Sequence, residues 1–267
     1  MLVPPLQKPL AHVHADAGSR AAALRSRPID GLVLRGVATF LLCVCASGAA
    51  AQVSGTLSAV SDYRYRGITF SDRRPAAQAG LTYDDPKGWY AGAFGSTVRL
   101  APPGRSSSNF QAIIYAGYAA RLPSGISVEA GGDYSAFAGS NDLNYGEVFV
   151  GGAIENLNAR LYYAPRYFGQ TSNAFYGEIN ATQPLMDRVR LHVHAGFLRH
   201  RYDSPYGLLY GVAPTHNVID GRIGLRADLD LFQLEIAWVG VSNHTAAYLI
   251  TGRSSPNGVV AALSLPF

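Results

Sequence analysis

The chain has 267 residues, a formal net charge of +4, and only 15% charged residues. Charge that sparse falls below the rough quarter of a soluble globular domain, yet no apolar run in the body of the chain reaches the ~20 residues of a membrane-spanning helix. The basic excess is concentrated at the N-terminus, in Lys8, Arg20, Arg25, Arg27 and Arg35 against Asp16 and Asp30, so the charge gives no reason to expect a nucleic-acid partner.

The first element is an export signal. Arginines precede an apolar run, Val37 to Ala46, which is followed by Ser47, Gly48, Ala49, Ala50 and Ala51. Basic, apolar, then small is the order of a secretory signal peptide with an A-x-A site. Cleavage is expected after Ala51, making 1–51 a signal peptide with an N-terminal extension and 52–267 the mature domain. Both cysteines, Cys43 and Cys45, leave with the signal, so no disulfide is expected. Leu42 and Val44 are not the small residues a lipoprotein anchor wants before its Cys.

From Gln52 onward the apolar period is often two, which sends alternate side chains to opposite faces of a strand. Ile219, Gly221, Ile223, Leu225 and Ala227 share one face, and Asp220, Arg222, Gly224 and Arg226 the other. Val189, Leu191, Val193, Ala195 and Phe197 stand likewise opposite Arg190, His192 and His194. In chain order the expected strand centres are Ala59, Gly80, Phe94, Tyr115, Ala130, Phe149, Leu161, Ile179, Val193, Ile223, Ile236 and Leu263. That makes about 12 strands, an even number in the range of outer-membrane barrels. Short turns at Asp85–Gly88, Pro123–Gly125, Asn156–Asn158, Pro184–Asp187 and Asp228–Asp230 alternate with longer connections, notably Arg199–His216 and Ser242–Asn257. Short periplasmic turns alternating with long outer loops complete the pattern of an all-β, transmembrane, antiparallel up-and-down β-barrel. Val259, Ala261, Leu263, Leu265 and Phe267 alternate to an aromatic end, similar to the terminal signal read by the barrel-assembly machinery. Pro266 has no N–H for the ladder, so an imperfect last pairing is expected.

If the apolar faces meet lipid, the polar faces line the lumen. The lumen candidates are Asp62, Arg64, Arg66, Arg99, Arg121, Glu129, Asp133, Glu147, Arg160, Arg166, Glu178, Arg190, His192, His194, Asp220, Arg222, Arg226 and Glu235. Charges on the lipid face would cost about 2–4 kcal/mol near the midplane for Arg or Lys. Their near balance predicts weak ion selectivity. Tyr63, Tyr65, Tyr83, Tyr90, Tyr163 and Tyr167 fall near strand ends and are expected in an interfacial girdle. His192 and His194 share a face, but no further metal ligands stand out, and no metal or other cofactor is expected.

Several stretches carry a family resemblance: Ser61-Asp62-Tyr63-Arg64-Tyr65-Arg66-Gly67-Ile68 with Ser71-Asp72, Pro75, Gln78 and Gly80; Gly88-Trp89-Tyr90-Ala91-Gly92; Asn144 to Gly151; and Leu161 to Gly169. They resemble the TorF family of porins, also catalogued under the label Gcw_chp. Thr69-Phe70 stands where a Ser-Gln pair is usual, and Thr97 where Asn is common. The resemblance implies an outer-membrane porin by architecture and supplies no solute.

The expected function is passive diffusion of small hydrophilic solutes, with outer-membrane lipids around the barrel. Two other readings compete. One is a closed structural or surface-binding barrel presenting Tyr202, Tyr206, Tyr210 and Tyr248 on outer loops. The other is a lipid-acting enzyme, for which Ser242, Asn243 and His244 are the nearest to a catalytic group; no catalytic residue is assigned.

Overall fold

The computed structural model describes residues 52–169, 173–201, 215–244 and 248–267. The expected signal peptide, and Tyr202, Tyr206 and Tyr210, lie outside them. Twelve antiparallel strands close into one barrel: β1 (Gln52–Val60), β4 (Ala76–Asp84), β5 (Trp89–Leu100), β6 (Ser108–Arg121), β7 (Ser127–Phe137), β8 (Tyr145–Ile154), β9 (Leu157–Ala164), β10 (Ala174–Met186), β11 (Val189–Arg201), β12 (Thr215–Asp228), β13 (Gln233–Val241) and β14 (Gly258–Pro266). β14 pairs with β1, which leaves no free edge. A two-stranded hairpin, β2 (Arg64–Tyr65) and β3 (Ile68–Thr69), is separate from the wall. The one α-helix among the described residues is the four-residue α1 (Tyr248–Thr251), and no described helix is long and apolar enough to cross a membrane.

Each of the twelve expected strand centres falls inside a wall strand. Two turns are tighter than expected, because Leu157 and Asn158 already belong to β9 and Pro184 to Met186 still belong to β10. The end of the barrel carrying these turns and both ends of the described chain is called here the turn end. The opposite, loop end carries the longer connections.

The polarity is inverted relative to a soluble barrel. Leu81, Ile114, Val150, Leu161, Ile223 and Ile236 are exposed on the outer face, an apolar surface far larger than the few hundred Å² of a typical patch. Aromatic residues border it at both ends. Trp89 packs edge-to-face on Tyr118 at 5.0 Å near the turns, and Tyr163 meets Phe175 at 4.9 Å near the loops. Of the six tyrosines expected in that girdle, only Tyr83 and Tyr163 take part. Tyr63, Tyr65, Tyr90 and Tyr167 are buried inside: Tyr90 sits at an inward position of β5, and the others belong to connections that fold back into the barrel.

Pro266 does not break the last pairing. It stands opposite Thr56 in a non-hydrogen-bonded pair, and Phe267 beyond it exchanges both backbone bonds with Gly55, at 2.8 and 2.9 Å. The missing N–H points away from β1, where β13 has already ended its pairing at Ser264.

Glycines inside the wall make room for rings from the neighbouring strand. A Cβ on Gly117 would lie 2.5 Å from the Tyr90 hydroxyl and 2.8 Å from the Ala130 carbonyl oxygen. Gly117→Val is therefore expected to cost about 1–3 kcal/mol by overpacking, read as a lower temperature for the heat-induced mobility shift of the folded barrel on gels.

Candidate functional site: the barrel lumen

The connection from β1 to β4, residues 61–75, does not extend into solvent. It folds into the lumen, where every residue from Asp62 to Ser71 is buried. Arg66 and Gly67 have φ of 49° and 75°, giving the two-residue turn with positive φ at both central positions that joins β2 to β3. Left-handed φ costs a non-glycine residue about 1–2 kcal/mol. Arg66 is held there by what its guanidinium meets at the bottom of the hairpin. Nη2 donates to Glu147 Oε2 at 2.7 Å and Nη1 to Oε1 at 3.1 Å. The group also lies over the ring of Tyr176 at 4.2 Å, with Tyr65, Tyr162 and Tyr167 at 5.0 to 5.4 Å. The Tyr65 hydroxyl donates to Glu147 Oε2 at 3.2 Å and accepts from Tyr145 at 2.9 Å.

The hairpin is closed on itself through Asp62, which accepts from Arg64 Nε at 2.6 Å, Thr69 Oγ1 at 2.5 Å and Ser71 Oγ at 3.2 Å. Arg64 Nη1 reaches the Pro256 carbonyl at 2.8 Å, and Ser255 Oγ accepts the Thr69 N–H at 2.8 Å. Phe70 packs with Phe137 and Phe168, and Leu143 and Leu100 are buried in the same cluster. Thr69 and Phe70, where the sequence departs from the family pattern, thus hold the hairpin's interior.

On the turn side of this plug lies a cavity of about 90 Å³, room for several waters. Its wall is polar and highly paired. Arg160 forms a buried ion pair with Glu129, which also accepts from the Tyr90 hydroxyl at 2.8 Å. Arg222 and Arg226 both pair with Glu235. His194 spans Asn180 Oδ1 at 2.7 Å and Asp220 Oδ1 at 2.8 Å. Asp133 and Glu178 face the cavity with no arginine at ion-pair distance among the described residues; Glu178 accepts only the Tyr162 hydroxyl, at 3.3 Å.

Most of the expected lumen residues point inward, with three qualifications. Asp62, Arg64 and Arg66 are inside because their loop folds in, not because they line the wall. Arg121 and Arg190 keep the inward alternation but sit exposed at the turn-end mouth, where Arg190 pairs with Asp228 at 2.6 Å. Arg99 and Arg166 are exposed and do not face the lumen. In β5 the inward positions are even-numbered, with Val98 and Leu100 buried on either side of Arg99. Arg166 lies beyond the last residue of β9, where strand alternation no longer applies. Leaving aside Asp62 and Arg64, which pair with each other within the plug, and Arg121 and Arg190 at the mouth, the inward charges around the cavity are six carboxylates, Glu129, Asp133, Glu147, Glu178, Asp220 and Glu235, and four guanidiniums, Arg66, Arg160, Arg222 and Arg226.

His192 contributes Nδ1 to Thr182 Oγ1 at 3.1 Å, and no group of three or more metal-ligating side chains occurs among the described residues. In the candidate catalytic cluster Ser242 Oγ accepts the Ile219 N–H at 2.9 Å, while His244 Nε2 lies 3.2 Å from Asn257 Oδ1. Both side chains close loops. The plug is not among the expectations drawn from the sequence, although Arg66-Gly67 between Arg64-Tyr65 and Ile68-Thr69 has the spacing of a two-residue hairpin turn.

No curated protein matches this chain. Among solved structures, the NanC porin is 13% identical, with a TM-score of 0.50 over 82% of this chain and 99% of that one. The KdgM porin is 10% identical, with a TM-score of 0.47 over 80% and 98%. The outer membrane channel DcaP of Acinetobacter baumannii is 10% identical, with a TM-score of 0.40 over 83% and 98%. At these identities the likeness is one of fold, the closed antiparallel barrel. The family model for the bacterial proteins of unknown function called Gcw_chp matches residues 45–263, and the chain belongs to that family.

Proposed function

We propose that this chain is exported by its first 51 residues, assembles in the bacterial outer membrane, and forms a narrow channel for small hydrophilic solutes with residues 61–75 as its constriction. The observation that carries this reading is the pairing of an apolar outer surface with a charged, cavity-bearing interior. The resemblance to TorF porins belongs to the same reading. Its partners are outer-membrane lipids around the apolar band and the barrel-assembly machinery, which would meet the final strand ending in Phe267.

The surplus of inward carboxylates makes the channel cation-preferring. Under a salt gradient across a planar bilayer, the folded protein should show small discrete conductance steps with a reversal potential on the cation side. An anion-side potential would contradict the charge assignment.

One observation favours a second reading, a closed barrel. The plug is buried along ten consecutive residues and sealed by aromatic packing at the loop end. A well-folded protein that never conducts, with or without its hairpin, would establish that reading in place of the first.

A further inference from the structure

Two exposed arginines, Arg166 and Arg199, stand near one another on the outer face. Arg199, exposed on β11, stands opposite Phe175 of β10, which stands opposite Tyr163 of β9. Arg166, two residues beyond β9, lines a groove with the outward-facing Tyr134, Val148 and Pro165, whose inner side is formed by Asp133, Tyr145 and Glu147. All of these lie at the loop end. Arg166 and Arg199 are about two strand spacings apart around the barrel, roughly 10 Å. Neither has an ion-pair partner among the described residues.

Among the described loop residues at this end, Asp72 is engaged by Arg253 and Asp142 by Arg105, and Glu147 of the groove is held by Arg66. At the turn end Arg188 pairs with Asp230 at 3.0 Å. Among the described residues, Arg166 and Arg199 thus stand as unpaired cations beside the exposed rings of Tyr163 and Phe175. In an outer-membrane barrel the loop end faces the outer leaflet, and guanidinium suits phosphate through bidentate hydrogen bonding.

We propose that this face binds a phosphorylated glycolipid of the lipid A type, Arg166 and Arg199 holding its phosphates while Tyr163, Phe175 and Val148 meet its acyl chains. The proposal rests on the outer-membrane placement above.

The test uses the full chain expressed in a Gram-negative host, with the barrel extracted from the outer membrane in mild detergent and titrated with diphosphoryl lipid A or its dephosphorylated form. Diphosphoryl lipid A should bind at least tenfold more tightly than the dephosphorylated lipid. Arg166→Glu with Arg199→Glu should remove that preference, and Lys87→Glu at the turn end should keep it. If the double glutamate variant loses the gel mobility of a folded barrel, Arg166→Gln with Arg199→Gln is read instead. Equal binding of both lipids by the parent, or an unchanged preference in the double variant, overturns the site. A chain absent from the outer-membrane fraction overturns the placement instead.

Discussion

Replacing residues 62–74 by a short glycine–serine turn should raise single-channel conductance by about an order of magnitude, because a barrel of about 12 strands without an inner plug is wide enough to hold water along its axis. β1 and β4 pair along their full length from Gln52–Asp84 to Val60–Ala76 without the hairpin's help, so the wall should survive the deletion. Removing Arg66 also leaves Glu147 unpaired and the lumen more acidic, so the reversal potential should move further toward the cation side. A deletion variant that folds, judged by its gel mobility, and conducts no better than the parent would show that the hairpin is not the constriction.

The second large effect is expected at Arg66 and Glu147. Truncating one partner of a buried ion pair leaves the other charge unsatisfied and costs about 3–5 kcal/mol. Arg66→Asn separates the contributions, because Asn tolerates the left-handed turn while losing the guanidinium. Arg66→Asn or Glu147→Ala should release the plug, read as faster amide exchange over residues 61–75 with exchange in the wall strands unchanged. The double change to Met at both positions should disturb the plug less than Glu147→Ala alone, since it removes both charges together. If the double change is the more disruptive, the pair does not hold the hairpin. The same single variants should lengthen the open time of whatever conductance the parent shows, which ties the latch to the channel.

Such a latch was only half legible in the chain. Arg66 and Glu147 were both expected to face the lumen, on charge alone. Their meeting depends on a hairpin that leaves the wall and crosses the interior to a strand 81 residues later, and no local period encodes that distance. The misplaced residues have a related cause. Alternation assigns a side chain to a face only while the strand lasts. It puts Glu129, Arg160, Arg222 and Glu235 on the face that the structure buries, and it says nothing for Arg166, two residues beyond β9. For Arg99 the period was present, but its phase was set by Tyr90 and Phe94, aromatic residues that face inward here although aromatics commonly face lipid. Tyr63, Tyr65 and Tyr167 failed as girdle residues because a ring with a hydroxyl suits a polar plug as well as a membrane boundary.

By itself the sequence determined the number of wall strands, their order and which ends carry the turns. Period-two alternation and the turn residues act over a few positions, and a barrel closed by nearest-neighbour hairpins needs little else. Only the tertiary structure decided what fills the barrel. The lumen's free charges, its remaining cavity and its plug are set by which side chains meet across the interior, and those meetings depend on the path of connections rather than on the pattern of any one strand.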